Sequence, residues 1–311
     1  MRIGVFTALW GNLSFEQALD KAVEAGVSAV EIGAGGYPGS PHCPVDELLE
    51  SQTKRDEWLG KITQRGLILS ALSIHNNPLH PDPAVAKEAD ETYRKAIRLA
   101  SLLKVPNINT FPGLPAGAPG DKTINWVTCP WPPDFLKILD YQWNEVAIPY
   151  WREAAKFAED QGVKVAFEMH PGMLVYNVET LLRLREVNPI LGCNFDPSHL
   201  WWNGVDPVEA IRALGEAIFH VHGKDVYVDM HNIRVNGCND GKPYGEIPKR
   251  SWTFRSIGYG HGMKDWKDIV SALRMVGYDY VISIEHEDAL MSTDEGLRKG
   301  VAVLKEAGIF E

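Results

Sequence analysis

An α/β protein folded as a (β/α)8 TIM barrel, with long loops on its C-terminal face, is what this sequence predicts, and three observations predict it. Short β-branched runs alternate with longer amphipathic segments through all 311 residues, and counting them gives eight strand–helix repeats. Such alternation means a parallel sheet, because parallel neighbours need a crossover, and eight repeats suggest closure. No G-x-G-x-x-G follows the first run, which removes the usual dinucleotide signature of the open doubly wound rival.

The elements read in order. Residues 2–9 form the first strand, and Ser14 with Gln17 makes a capping box for a helix whose apolar face is Phe15, Ala18, Leu19, Ala22 and Val23, ending at Gly26. Residues 28–32 are the second strand, followed by a Gly-rich loop at 33–39. A helix at 55–64 leads to the strand 67–74, and a helix at 83–103 leads to the strand 107–111. In the second half, helix 150–161 precedes strand 163–168, and helix 178–186 precedes the extended run 190–196. Asp206 and Pro207 are an N-cap and first-turn proline opening a helix to residue 214. Strand 217–222, helix 266–276 and strand 280–285 follow, and Ser292 with Glu295 caps a last helix to about residue 307. Two stretches break the pattern: 112–133 is rich in Gly, Pro and Trp and too irregular for a helix, and 223–262 is a long connection with Gly, Pro, Asn and aromatics. Both follow strands, so both belong to the barrel's C-terminal face, where barrel active sites are built. Residues 1–311 read as one domain, a length α/β barrels commonly reach.

Composition narrows the function. With 45% hydrophobic and 23% charged residues the chain is that of a folded protein. A net charge of −10 and the lack of a basic stripe speak against a nucleic-acid partner. The four cysteines form no C-x-x-C pair, the N-terminus has no signal-peptide pattern, and no apolar run reaches the ~18 residues a membrane span needs. A reduced, cytoplasmic setting without a membrane partner is the expectation.

The chemistry lies in what ends the last four barrel strands: FEMH, NFDPSH, HVHGKD and SIEHED. Neighbouring strands in a closed barrel lie about 4.8 Å apart, so Glu168, Asp196, His222 and Glu285 can converge. Any one of them alone reads as a loop solvator, a helix cap or a core histidine. Together, three carboxylates in so small a space call for a cation. The ligands are mostly hard oxygens, which suits Mn²⁺ first, with Mg²⁺, Co²⁺ or Zn²⁺ as alternatives. His199, one turn beyond Asp196, is expected to touch substrate or support the ligands rather than join them.

These residues carry a resemblance. The opening RIGVFTALWG, the segment ALSIHNNPLHPD, and FEMHPG, NFDPSH, HVHGKD and SIEHED in that order resemble the xylose-isomerase-like TIM-barrel superfamily of sugar isomerases and epimerases, over essentially the whole chain. The resemblance implies that Glu168, Asp196, His222 and Glu285 bind one divalent ion, and it maps the family's D-x-x-H histidine to His199 and its H-x-K-D motif to His222, Lys224 and Asp225, the last two as substrate contacts. It also implies proton transfer through a metal-stabilised enediolate on a ketose or related keto-sugar, with Glu168 and Glu285 exchanging the carbon-bound proton.

Further substrate contacts are expected at His75 and Glu31, which end the third and second strands, although Glu31 also reads as a support for the loop after it. His170 and Arg255 are candidates for polar substrate groups, with a solvated loop or subunit contact as the other reading. Trp10 belongs to a set of rim tryptophans whose faces suit sugar C–H groups, though most tryptophans are core residues. No phosphate cradle is evident. The second functional reading is a lyase that eliminates the aglycone from 3-oxo-glycosides, C-glycosides included, by the same α-deprotonation and with a small partner subunit. Exposed loop aromatics hint at a homo-oligomer, and the expected ligand is a small carbohydrate.

Overall fold

A computed structural model describes residues 1–308; the last three residues of the 1–311 span lie outside the described residues. Eight parallel strands close into a barrel: β1 (Arg2–Phe6), β2 (Ala29–Gly33), β3 (Ile68–Ser73), β4 (Asn107–Thr110), β5 (Lys164–Glu168), β6 (Leu191–Phe195), β7 (Ile218–Gly223) and, after two strands that lie outside the barrel, β10 (Val281–Ile284). β10 pairs with β1 from Arg2↔Val281 to Val5↔Ile284, which shuts the sheet.

The local signals act where the sequence puts them. Ser14 and Gln17 form the reciprocal capping box of helix Phe15–Ala25, and Gly26 ends it in the left-handed conformation. Asp206 accepts the Val208 N–H ahead of Pro207, as an N-cap before a first-turn proline should. Ser292 caps helix Thr293–Ala307 by accepting the Glu295 N–H. Apolar strand residues such as Val5, Ile32, Leu72 and Phe167 join helix residues such as Leu19, Ile97, Trp151 and Trp266 in one buried cluster.

The space inside the barrel is polar. Asn109 on β4 donates to Glu31 on β2 at 2.9 Å and meets His220 on β7 at 3.1 Å, and His220 meets Asn194 on β6 at 3.0 Å. Strands that are not neighbours can share such contacts only across the interior. Each group is buried, and the network gives each of them at least one partner, while His220 Nε2 is left without one among the described residues.

Three departures from the sequence reading matter. The first strand stops at Phe6, and Thr7–Trp10 turn as a short 3₁₀ segment. The helix expected near residue 150 runs from Asp134 through a π segment, Tyr141–Ala147, to Asp160. The connection after β7, read only as a long loop, has elements of its own: β8 (Asp225–Val228) pairs antiparallel with β9 (Trp252–Arg255), and helix Met230–Asn236 lies between them. Four-residue strands give too few alternations to stand out from loop composition. The stretch after β4 remains irregular as far as Pro133. No helix among the described residues is long and apolar enough to cross a membrane.

Candidate active site

Parallel strands present their ends at one rim, and four side chains meet there. Glu168 closes β5, Asp196 follows β6, His222 lies in the last pair of residues of β7, and Glu285 follows β10. One ligand-capable atom from each lies within 4.8 Å of the others. His222 Nδ1 stands 3.1 Å from Glu168 Oε2 and 3.3 Å from Glu285 Oε2. Asp196 spends one oxygen on capping helix Pro197–Trp202, accepting the Ser198 N–H at 2.8 Å. Its other oxygen, 3.4 Å from His199 Nε2, and His222 Nδ1 are buried and, despite these close neighbours, make no well-aligned hydrogen bond among the described residues. Orphaned atoms of this kind, in a set of three carboxylates and one imidazole, fit a hard divalent ion.

The neighbours hold the ligand-bearing groups from behind. His199 Nε2 lies 3.1 Å from Glu168 Oε1 and His75 Nε2 lies 3.1 Å from Glu168 Oε2, so each carboxylate oxygen has its own imidazole. Lys224 Nζ donates to Glu285 at 3.1 Å and to Glu287 at 2.8 Å. His222 Nε2 is 3.0 Å from Glu31 Oε1. Burial alone would raise the Glu168 carboxyl, but His199, His222 and His75 hold it well below the usual carboxylate range. Glu285 is likewise held at about 2, where Lys224 and His222 outweigh burial. Asp196 goes the other way: burial pushes it up against the pull of His199 and Lys224. His222 is raised well above its ordinary value because Glu31 and Glu285 overcome its burial. The site is therefore acid-rich around a single point, which is how a cation site looks.

A cavity of about 260 Å³ opens onto this cluster, lined among others by His75, Phe111, Glu168, His170, Lys224 and Glu285. The fold thus gathers Glu168, Asp196, His222, Glu285, His199, His75, His170 and Lys224. Four other residues expected to touch substrate stand elsewhere. Glu31 is wholly buried and bonds to His222, Ser73 and Asn109, so it supports the site from within the barrel. Asp225, next to Lys224 on the chain, faces the other way, as strand alternation requires. Its carboxylate accepts the N–H groups of Gly258, Gly260 and His261 and the indole N–H of Trp266. Gly260 is obligatory there, since a Cβ would sit 2.1 Å from the Val226 carbonyl oxygen. Arg255 pairs with Asp288 at 3.1 Å and lies over the Tyr259 ring. Trp10 is carried by the 3₁₀ turn into a separate cavity with Lys21 and Asp294.

Sequence reasoning passes over Glu287, Tyr37, Phe111 and Asn194. Glu287 follows Glu285 by two residues, the spacing that returns a side chain to the same side of an extended segment. Asn194 stands in the same relation to Asp196, and its amide lies 3.2 Å from His222 Nε2 and 3.4 Å from Glu168 Oε2. Tyr37 sits on the Gly-rich loop, which approaches β3 so closely that a Cβ on Gly36 (φ 65°) would lie 2.4 Å from the His75 carbonyl oxygen. No local pattern marks it.

A second cavity, of about 330 Å³, adjoins the first. The two share His170, and His199, which lines the second, touches Glu168, which lines the first. Its aromatic residues are Trp126, Trp202, Tyr244 and Trp252, the last two carried by the connection after β7. Trp202 and Trp252 stack at 4.4 Å, and the buried Arg250 guanidinium lies 4.5 Å over Trp252 and 4.6 Å over Tyr244. Arg250 thus fixes this wall from behind.

Known proteins agree with this architecture. Residues 19–307 match the model of the xylose isomerase-like TIM barrel family. The uncharacterized protein YfiH of Bacillus subtilis is 43% identical over 310 residues, covering 98% of this chain and 99% of that one. An inosose dehydratase of Geobacillus kaustophilus is 30% identical over 118 residues, 37% of this chain and 34% of its own. Among solved structures, a D-tagatose 3-epimerase-like protein superposes with a TM-score of 0.65 at 23% identity, covering 99% of this chain and 97% of that one. With the closed barrel, the converging rim residues and a family match over most of its length, the chain belongs to the xylose isomerase-like TIM-barrel family.

Proposed function

We propose that this protein is a divalent-metal-dependent sugar isomerase or epimerase, acting on a ketose or related keto-sugar at the carbon beside the carbonyl. The observation that carries the reading is the convergence of Glu168, Asp196, His222 and Glu285 within 4.8 Å, with Glu168 and Glu285 lining a cavity. When bound there, one divalent ion, Mn²⁺ in the first instance, supplies polarisation of the carbonyl oxygen and neutralises the acids.

The chain's own residues do the rest. Glu168 and Glu285 are carboxylates held ionised in a buried site, which makes them proton acceptors near a bound sugar. One removes the carbon-bound proton and later releases it to solvent, while the other takes a proton from solvent and delivers it to carbon, so solvent label enters the product. Return to the neighbouring carbon interconverts aldose and ketose; return to the opposite face of the same carbon yields an epimer. His75 and His199 fix the Glu168 carboxylate through both oxygens, and Lys224 steadies Glu285. His170 stands between the two cavities, where it can meet a substrate hydroxyl. Burial holds its imidazole down at about 3, with His199 adding to the effect, so it meets substrate neutral. A small carbohydrate ligand, a homo-oligomeric assembly and a cytoplasmic setting, in keeping with four free cysteines, belong to the same reading.

The second reading is a lyase on 3-oxo-glycosides, with a small partner subunit. It is favoured by the second cavity, which offers room beyond the keto-sugar, and by the likeness of part of the chain to an inosose dehydratase, itself named for an elimination. Solvent-deuterium incorporation, followed by NMR with Mn²⁺ supplied and a panel of free ketoses and 3-oxo-glucosides, tests both. Deuterium beside a ketose carbonyl, with an epimer or aldose appearing, supports the isomerase. Aglycone loss from a 3-oxo-glucoside with free ketoses untouched moves the protein to the lyases, and no exchange in any of them overturns the reading.

A further inference from the structure

We infer that the second cavity is a binding site for a second polyhydroxylated ring, so that the substrate is a glycosyl-extended keto-sugar rather than a monosaccharide. The inference rests on the proposed keto-sugar chemistry for its first ring, and on the cavity alone for its second.

The argument comes from polar atoms left without partners. Of the three indoles lining this cavity, Trp252 donates its N–H to the Cys238 carbonyl at 3.1 Å and is satisfied. The N–H groups of Trp126 and Trp202 are buried and have no partner among the described residues. An indole N–H can only donate, so both call for acceptor oxygens. His199 lines the same cavity; its Nε2 is engaged by Glu168, and its Nδ1 is buried without a partner. With the proton on Nε2, facing the carboxylate, Nδ1 is an acceptor and calls for a donor. Two donors and one acceptor on side chains that line one small chamber match hydroxyl groups, which do both. A bare aromatic ring would leave all three unpaired, at a cost to binding.

Size and position agree. At about 330 Å³ the chamber lies at the small end of ligand pockets, the scale of one ring. It opens beside Glu168 through His170 and His199, whose rings stand 4.1 Å apart, so a ring seated there is contiguous with a sugar over the acids. The wall is held independently of any ligand by the Trp202–Trp252 stack and the Arg250 clamp. It is thus shaped in advance, which lowers the ordering cost of binding.

The test compares kcat/KM for deuterium exchange, with Mn²⁺, among D-fructose, two glycosyl-fructoses linked through O4 and O6, and 6-O-benzyl-fructose. Trp126→Phe and Trp202→Phe keep an aromatic ring and remove the donor, and near-ultraviolet circular dichroism verifies their packing. At least one glycosyl-fructose is expected to exceed both fructose and the benzyl ether by about tenfold, with each variant removing most of that advantage. Parity among the substrates, or preference for the benzyl ether, overturns the second-ring site while leaving the proposed chemistry standing. If no keto-sugar exchanges, the chemistry has failed, and calorimetry on the same proteins judges the cavity by itself. Cellobiose or lactose binding about tenfold tighter than glucose and phenyl glucoside, and losing that margin in Trp126→Phe, supports the site; equal affinities overturn it.

Discussion

His222 and Glu31 form a carboxylate–imidazole pair inside the barrel, with Nε2 3.0 Å from Oε1, while the Nδ1 of the same ring looks toward Glu168 and Glu285. One nitrogen is thereby committed to the protein and the other is left for the rim. Pairs of this kind fix the tautomer and orientation of a metal-binding histidine. Glu31→Gln keeps the shape and removes the charge, so Mn²⁺ affinity is expected to fall about 10–100-fold with little change in fold. Calorimetric titration of Mn²⁺ into both proteins checks this. Wild-type affinity in the variant would reduce Glu31 to a packing residue.

Glu168 and Glu285 are proposed to divide the proton transfer, one taking the carbon-bound proton and the other supplying its replacement, so neither alone should sustain turnover. Glu168→Gln and Glu285→Gln are each expected to lower deuterium exchange by at least about 10²–10⁴-fold while circular dichroism stays native. Of the two, Glu285 keeps a fifth of its side chain exposed while Glu168 is nearly closed off. Substrate should therefore lie against Glu285 more openly, and Glu285→Gln should disturb the packing less than Glu168→Gln. Native exchange rates in both variants would remove the acids from the chemistry.

Much of this is legible in the sequence because barrel geometry turns a linear pattern into a ring. Four strand-end motifs at corresponding positions have to share a rim, so Glu168, Asp196, His222 and Glu285 can be named together. The motif histidine His199 and the strand-end His75 follow from the same logic. What the sequence does not carry is direction. Asp225 adjoins Lys224, and only the antiparallel ribbon of β8 and β9 decides that it turns toward the Gly258–His261 backbone. Trp10 follows directly on a strand pattern, and the 3₁₀ turn at Thr7–Trp10 carries it off the cavity. Glu31 reads as a rim residue, yet the polar barrel interior holds it through Asn109 and His222. The second cavity depends on residues from Trp126 to Trp252, brought together by tertiary packing with no periodic signature.

Asp225 is expected to matter for stability more than for the proton transfer. Its carboxylate gathers four backbone N–H groups, those of Val226, Gly258, Gly260 and His261, and the Trp266 indole, so Asp225→Ala strands several donors at once. A loss of about 2–4 kcal/mol is expected, seen as a Tm lower by several degrees in calorimetry. Arg255→Ala breaks one partly exposed ion pair with Asp288 and should cost about 1 kcal/mol or less. Equal Tm values for the two variants would show that the carboxylate is not the anchor of this loop.

The last prediction concerns pH and the wall of the second cavity. Asp240 accepts the Ser251 N–H at 2.6 Å and the Lys242 N–H at 3.0 Å and pairs with the Lys242 ammonium at 2.7 Å. Burial would raise its carboxyl, but these partners bring it down to about 2 from an ordinary 3.8. A depressed value means the folded loop prefers the charged form. Its contribution is complete above about pH 4 and is lost as pH falls from there toward 2. Hydrogen exchange read by mass spectrometry, corrected for intrinsic rates, should therefore show residues 237–251 loosening below pH 4 ahead of the barrel strands. Asp240→Asn should produce the same local loosening at pH 7, because it removes the charge and leaves the barrel alone. Tyr244 and Trp252 ride on this loop, so the variant should also weaken a second ring's binding before it touches the acids at the rim. Wild-type protection of residues 237–251 in Asp240→Asn at pH 7 would mean that the loop is held by the Arg250 clamp and the ribbon, with Asp240 contributing little.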